Sequence, residues 1–119
     1  MSHKILIVDD DPSVREAIYE ILAMNGYIVS TVDGGGEALS RMEGEFFDLV
    51  ITDFRMPDMD GGTLLEHMRK KRIQTAALVL SGFLSPSDQK RLKAIGAIDV
   101  LTKPFSVPTL LDAVQRGLQ

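Results

Sequence analysis

The chain contains no cysteine. Disulfides and thiolate metal sites are therefore excluded, and the composition fits a reducing, cytoplasmic compartment. Positive charge is also short, with 13 Lys and Arg against 17 Asp and Glu and a net charge of -4. Phosphate backbones demand a basic face, so direct nucleic-acid binding by this domain is not expected. Long apolar runs are missing as well. The N-terminus offers one lysine and a short apolar run that breaks into acids at Asp9, which is neither a signal peptide nor a membrane span. No repeat, linker or low-complexity stretch interrupts the sequence.

What is present reads as one globular domain over residues 1–119. Hydrophobic residues make up 45% and charged residues 25%, enough apolar material for a real core and too much for disorder. Five apolar, β-branched runs appear: Lys4–Val8, Tyr27–Val32, Asp48–Thr52, Ala77–Ser81 and Ile98–Thr102. The first, third and fourth are nearly continuous, as parallel strands buried on both faces require.

Helical patterns lie between them. After Asp11 and Pro12, the residues Val14, Ala17, Ile18, Ile21 and Leu22 recur at helical spacing. Asp11 suits the N-cap, Pro12 the first turn and Gly26 the stop. A short helix is predicted over Glu37–Met42, with Ala38, Leu39 and Met42 inward, and a third over Gly62–Lys71. The fourth starts at Ser85 with a capping-box spacing to Asp88, and its apolar face is thin, mainly Leu92 and Ile95. The fifth starts near Ser106 and repeats Val107, Leu110, Leu111, Val114 and Leu118. Five strand–helix alternations predict an α/β domain with a parallel sheet covered on both faces.

Polar residues concentrate at the strand ends. The first strand runs into Asp9 and Asp10, the third into Asp53, the fourth into Ser81 and the fifth into Lys103. In open α/β sheets the ligand sits outside the carboxyl ends of the strands, where strand order reverses. In the flavodoxin-like order 2-1-3-4-5 the first and third strands lie about 4.8 Å apart, so Asp9, Asp10 and Asp53 converge. Such a cluster calls for a cation, and hard oxygen ligands suit Mg²⁺ or Mn²⁺.

These four pieces together resemble the receiver domain of two-component response regulators. They are the acidic pair after the first strand, the Asp of "DFRMPDMDG", the Ser after the fourth strand, and "KPF" after the fifth. The resemblance runs from about Lys4 to Leu118. It implies a flavodoxin-like, doubly wound five-stranded sheet with five helices, possible as a piece of a longer regulator or hybrid kinase. It implies that Asp53 accepts a phosphoryl group from a phosphohistidine on a histidine kinase or histidine phosphotransfer protein. Asp10 then matches a direct Mg²⁺ ligand, Asp9 one acting through water, and Arg55 contributes its backbone carbonyl. Ser81 matches the hydroxyl that bonds the phosphoryl group, and Lys103 the ammonium that pairs with Asp53 and then the phosphate. The Lys103–Pro104 bond is expected to be cis. The implied role is a switch that catalyses only its own phosphorylation and dephosphorylation. Its output domain or protein is not named by the sequence, and dimerisation is open.

One position departs from the family pattern: Val100 stands where an aromatic usually reports phosphorylation. Val100 favours an alternative, an interaction module indifferent to phosphate. A haloacid-dehalogenase-type phosphatase, suggested by Asp9 and Asp11, lacks the cap insertion of that class. Phe83, two residues after Ser81, is expected to shield the acyl phosphate from water. Asp11, Asp33, Asp58 and Asp60 read as caps and turn formers. Gly34–Gly35–Gly36 reads as a flexible lead-in to the second helix, because no Lys-Ser/Thr follows. His3 and His67 read as surface residues, and Met24, Met42, Met56, Met59 and Met68 as core or loop fillers. The run Arg69–Lys70–Lys71–Arg72 reads as a solvated helix end.

Overall fold

The computed structural model describes residues 2–119. Strand and helix alternate as β1 (Lys4–Val8), α1 (Pro12–Met24), β2 (Ile28–Val32), α2 (Gly35–Gly44), β3 (Leu49–Asp53), α3 (Gly61–Lys70), β4 (Ala76–Ser81), α4 (Pro86–Ala94), β5 (Ala97–Thr102) and α5 (Val107–Gly117). All pairings are parallel, and the order is β2-β1-β3-β4-β5. This is the flavodoxin-like arrangement expected from the sequence.

The pleat divides each central strand between two cores. Ile5, Ile7, Leu49, Ile51, Leu78 and Leu80 face α1 and α5, where Ile18, Leu22, Leu110 and Val114 meet them. Leu6, Val8, Val50, Ala77 and Val79 face the opposite way, against Ala38, Met42, Leu64, Leu65, Met68 and Leu92 of α2, α3 and α4. Burial on both faces explains why the first, third and fourth strands lack polar alternation. Among the described residues no helix is long and apolar enough to cross a membrane.

Local capping signals hold. Asp11 accepts from Ser13 N at 2.9 Å, Ser85 from Asp88 N at 3.1 Å and Ser106 from Thr109 N at 3.2 Å. Gly26 takes φ +88 just past α1, a left-handed conformation that suits glycine.

Three expectations need correction. The second helix is longer than Glu37–Met42, and its lead-in is pinned. Gly36 N donates to Asp58 Oδ2 at 2.9 Å and Gly35 N to Asp58 Oδ1 at 3.3 Å, so a carboxylate from the β3–α3 loop caps α2 from outside. Met24 is no filler: it ends α1 beyond the apolar stripe and is 86% exposed. Arg69 is not solvated. Its guanidinium donates to the carbonyls of Ile73 at 2.8 Å, Thr75 at 3.1 Å and Ile95 at 3.3 Å, tying the end of α3 to the loop that leads into β4 and to the C-cap of α4. Lys70, Lys71 and Arg72 are exposed.

Candidate functional site

The register builds the site. Val8 pairs with Thr52, so Asp9 follows β1 beside Asp53, the last residue of β3. Asp53 pairs with Leu80 and Ser81 with Thr102, which brings Ser81 and Lys103 to the same rim. The connecting backbone is hydrogen-bonded across this rim, Phe54 N to Leu80 O at 2.8 Å and Lys103 N to Ser81 O at 2.7 Å. All the predicted strand-end groups therefore share one end of the sheet.

Asp9, Asp10 and Asp53 each offer an oxygen within 4.8 Å of the others, the only such cluster of metal-ligating side chains among the described residues. Asp10 is exposed, whereas Asp9 and Asp53 are buried. Asp9 Oδ1 accepts from Asp11 N at 2.9 Å. Its Oδ2 is buried with no hydrogen-bond partner. Burial pushes the Asp9 carboxyl above the usual range; the Asp11 N–H pulls it down, and the Asp53 charge adds to the rise. An orphaned buried oxygen among three carboxylates fits a hard divalent cation.

Lys103 Nζ donates to Asp53 Oδ1 at 2.7 Å. The Lys103–Pro104 peptide is cis, as expected. Ser81 is buried, but its hydroxyl is engaged elsewhere: it donates to Phe83 O at 2.8 Å and accepts from Phe83 N at 3.2 Å. Phe83 itself is 68% exposed. Arg55 is exposed at the start of the loop, its guanidinium carbon 5.8 Å from the Phe54 ring centroid. Asp11 is occupied as the α1 cap, which leaves the Asp-x-Asp phosphatase reading without its second acid.

Val100 packs against the α2–α3–α4 core and helps to line a cavity of about 480 Å³ behind Ser81, with Leu84, Lys93 and Thr102. A larger concavity of about 730 Å³ lies at the opposite rim, near Phe46, Asp48, Arg72 and Leu118. It is far from the convergent polar groups, so volume and chemistry point to different ends of the sheet.

Sequence reasoning missed two supports of the site. Asp58, read only as one of several caps and turn formers, caps the distant helix α2. Arg91 was not singled out, yet it bonds Asp60, Thr63 and Glu66 from α4. Asp60 was expected as a cap and is one, accepting from Thr63 N at 2.7 Å. No local pattern marks Arg91; its partners lie 25 to 31 residues away.

Comparison with known proteins agrees with the geometry. The family model of the response regulator receiver domain matches residues 5–115. The chain is 34% identical over 119 residues to the chemotaxis protein CheY of Bacillus subtilis, covering 99% of each. It is 36% identical over 116 residues to the response regulator protein FleR of Pseudomonas aeruginosa, covering 98% of this chain but only 24% of FleR. The structure of the chemotaxis response regulator CheY4 of Vibrio cholerae superposes with a TM-score of 0.91 at 37% identity, over 99% of this chain and 100% of that one. With the acids of β1 and β3 set around one rim and this match across nearly its whole length, the chain belongs to the response regulator receiver domain family.

Proposed function

We propose that this chain is a phosphoacceptor switch in which Asp53 takes a phosphoryl group from a phosphohistidine on a histidine kinase or histidine phosphotransfer protein. The observation that carries this reading is the Lys103–Asp53 contact at 2.7 Å beside the Asp9–Asp10–Asp53 cluster. A carboxylate oxygen of Asp53 forms a bond to phosphorus as the bond from phosphorus to the donor's imidazole nitrogen breaks. The imidazole leaves with that electron pair and takes a proton from water. Mg²⁺ (or Mn²⁺), held by Asp9, Asp10, Asp53 and the backbone carbonyl of Arg55, would neutralise charge on the phosphoryl oxygens.

The chain's own groups do the rest. Lys103 follows the charge from the Asp53 carboxylate to the phosphoryl group. Ser81 gives up Phe83 to donate a hydrogen bond to a phosphoryl oxygen. Water later attacks phosphorus, the bond from phosphorus to the Asp53 oxygen breaks, inorganic phosphate leaves, and the Asp53 carboxylate is restored. As a domain, residues 1–119 either act alone or form part of a longer regulator, whose output partner reads the change.

The second reading is a phosphate-indifferent interaction module, favoured by Val100 in the aromatic position. Incubation with Mg²⁺ and a small acyl-phosphate donor, followed by intact mass measurement, separates the two. A labile phosphoryl adduct absent from Asp53→Asn supports the switch, and no adduct on the native chain supports the module.

A further inference from the structure

α4 is the helix least held by the core. Leu92 is its one buried residue, joined by the half-buried Ile95 at its C-cap, and Arg91 adds a polar grip. Arg91 reaches from α4 to α3. Its guanidinium donates to Thr63 Oγ1 and Glu66 Oε1, each at 3.1 Å, and lies 3.4 Å from both oxygens of Asp60. Space is kept for it: a Cβ on Gly62 would stand 2.7 Å from the guanidinium carbon.

Asp60 is close to the reacting residue. Its neighbour Gly61 donates from N to Phe54 O at 2.7 Å. A Cβ on Gly61 would stand 3.0 Å from the Asp53 carbonyl oxygen and 3.2 Å from Phe54 Cα. Backbone meets backbone there with no slack, so a shift of Asp53 is passed to the Asp60–Gly61 turn that Arg91 grips. A second input arrives at the other end of α4. The Ser81 hydroxyl tethers Phe83, just before the Ser85 cap, and donating to a phosphoryl oxygen would cost its one donated bond, to Phe83 O.

We propose that Arg91 is the positioning residue through which α4 responds to the state of Asp53, by way of Asp60 and Gly61, in place of an aromatic ring at position 100. This inference rests on the phosphoacceptor reading above. Both inputs converge on a helix with two arrangements, Arg91 engaged or released, which is the physical content of the coupling.

The test is amide hydrogen exchange over residues 86–94 of the intact chain, with Mg²⁺, with and without beryllium fluoride as the phosphoryl mimic. On the native chain the mimic is expected to change exchange about fivefold, the size of effect that one partly exposed ion network supports. In Arg91→Ala, α4 exchanges faster without the mimic, and the mimic-dependent change falls below about twofold. Arg91→Lys keeps the charge without the fork and gives an intermediate response. Lys71→Ala, which removes an ion pair to Glu43 away from α4, keeps the full response. An Arg91→Ala chain that responds like the native one overturns the coupling. A native chain that forms the Asp53 adduct without any change at α4 also overturns it. A native chain that forms no adduct overturns the phosphoacceptor reading, and the coupling with it.

Discussion

The Lys103 ammonium donates to Asp53 Oδ1 at 2.7 Å across 50 residues of sequence. The Asp53 side chain is 11% exposed and that of Lys103 30%, so the pair is shielded from screening on the acid's side and reachable from the lysine's. A buried acid is thus met by a partly exposed cation, the arrangement on which the proposed phosphoacceptor role of Asp53 rests.

Lys103→Ala removes that cation. Phosphorylation of Asp53 by a small acyl-phosphate donor is expected to slow about 100-fold, the usual cost of deleting one electrostatic donor. Quantifying the adduct by intact mass over time checks this. An unchanged rate would remove Lys103 from the chemistry.

Asp9→Asn replaces a buried carboxylate whose Oδ2 has no partner and whose neighbours are Asp10 and Asp53. In chelator the variant is expected to be more stable by on the order of 1 kcal/mol, raising Tm by about 4 °C. Added Mg²⁺ should narrow the gap, because only the native chain gains fully from the metal. Thermal melts in chelator and in Mg²⁺ decide it, and a variant that melts lower in chelator contradicts the argument.

Asp58 gives the fold an acid-sensitive tie. The Gly36 N–H, with help from Gly35 and Met59, holds its carboxyl below the usual range. Burial works against the Asp60 charge, but the Thr63 N–H and Arg91 outweigh it and hold that carboxyl low too. Both groups release protons more readily folded than unfolded. Their stabilisation is therefore present above about pH 4 and is lost as pH falls through the depressed folded values. Asp58→Ala is expected to cost about 1 kcal/mol at neutral pH, as a lost helix cap does. Urea unfolding at pH 7 and near pH ~3 should show the gap between native and variant closing in acid; equal gaps would mean that the carboxylate is not the cap.

Two glycines should answer oppositely to alanine. A Cβ at Gly61 meets backbone on two sides, Asp53 O at 3.0 Å and Phe54 Cα at 3.2 Å, whereas one at Gly44 meets nothing within 4 Å. Gly61→Ala is expected to destabilise by about 1–3 kcal/mol. Gly44→Ala, in the last position of α2, is expected to be neutral or to stabilise by about 0.5 kcal/mol. Denaturant midpoints measured side by side check the contrast.

The legible parts of the fold were those whose causes are local in sequence. The caps Asp11, Ser85 and Ser106 bond amides two or three residues on. Burial of β1, β3 and β4 on both faces is written in consecutive apolar residues. Polar residues at Asp9, Asp53, Ser81 and Lys103 mark the strand ends whatever lies beside them. The extent of α2 was not legible, because its cap is Asp58, 22 residues beyond Gly36. Nor was the anchoring of the half-buried Arg69, whose carbonyl partners include Ile95, 26 residues away.

The sequence by itself determined which segments are strands and helices and which groups stand at strand ends, since propensity, periodicity and capping are free energies of neighbouring residues. Tertiary structure alone decided which of those groups touch. It set Asp53 against Lys103, turned the Ser81 hydroxyl onto Phe83, orphaned one oxygen of Asp9 and placed Arg91 over Asp60. Those outcomes depend on strand order, register and burial, which exist only once distant segments have packed and excluded water between them.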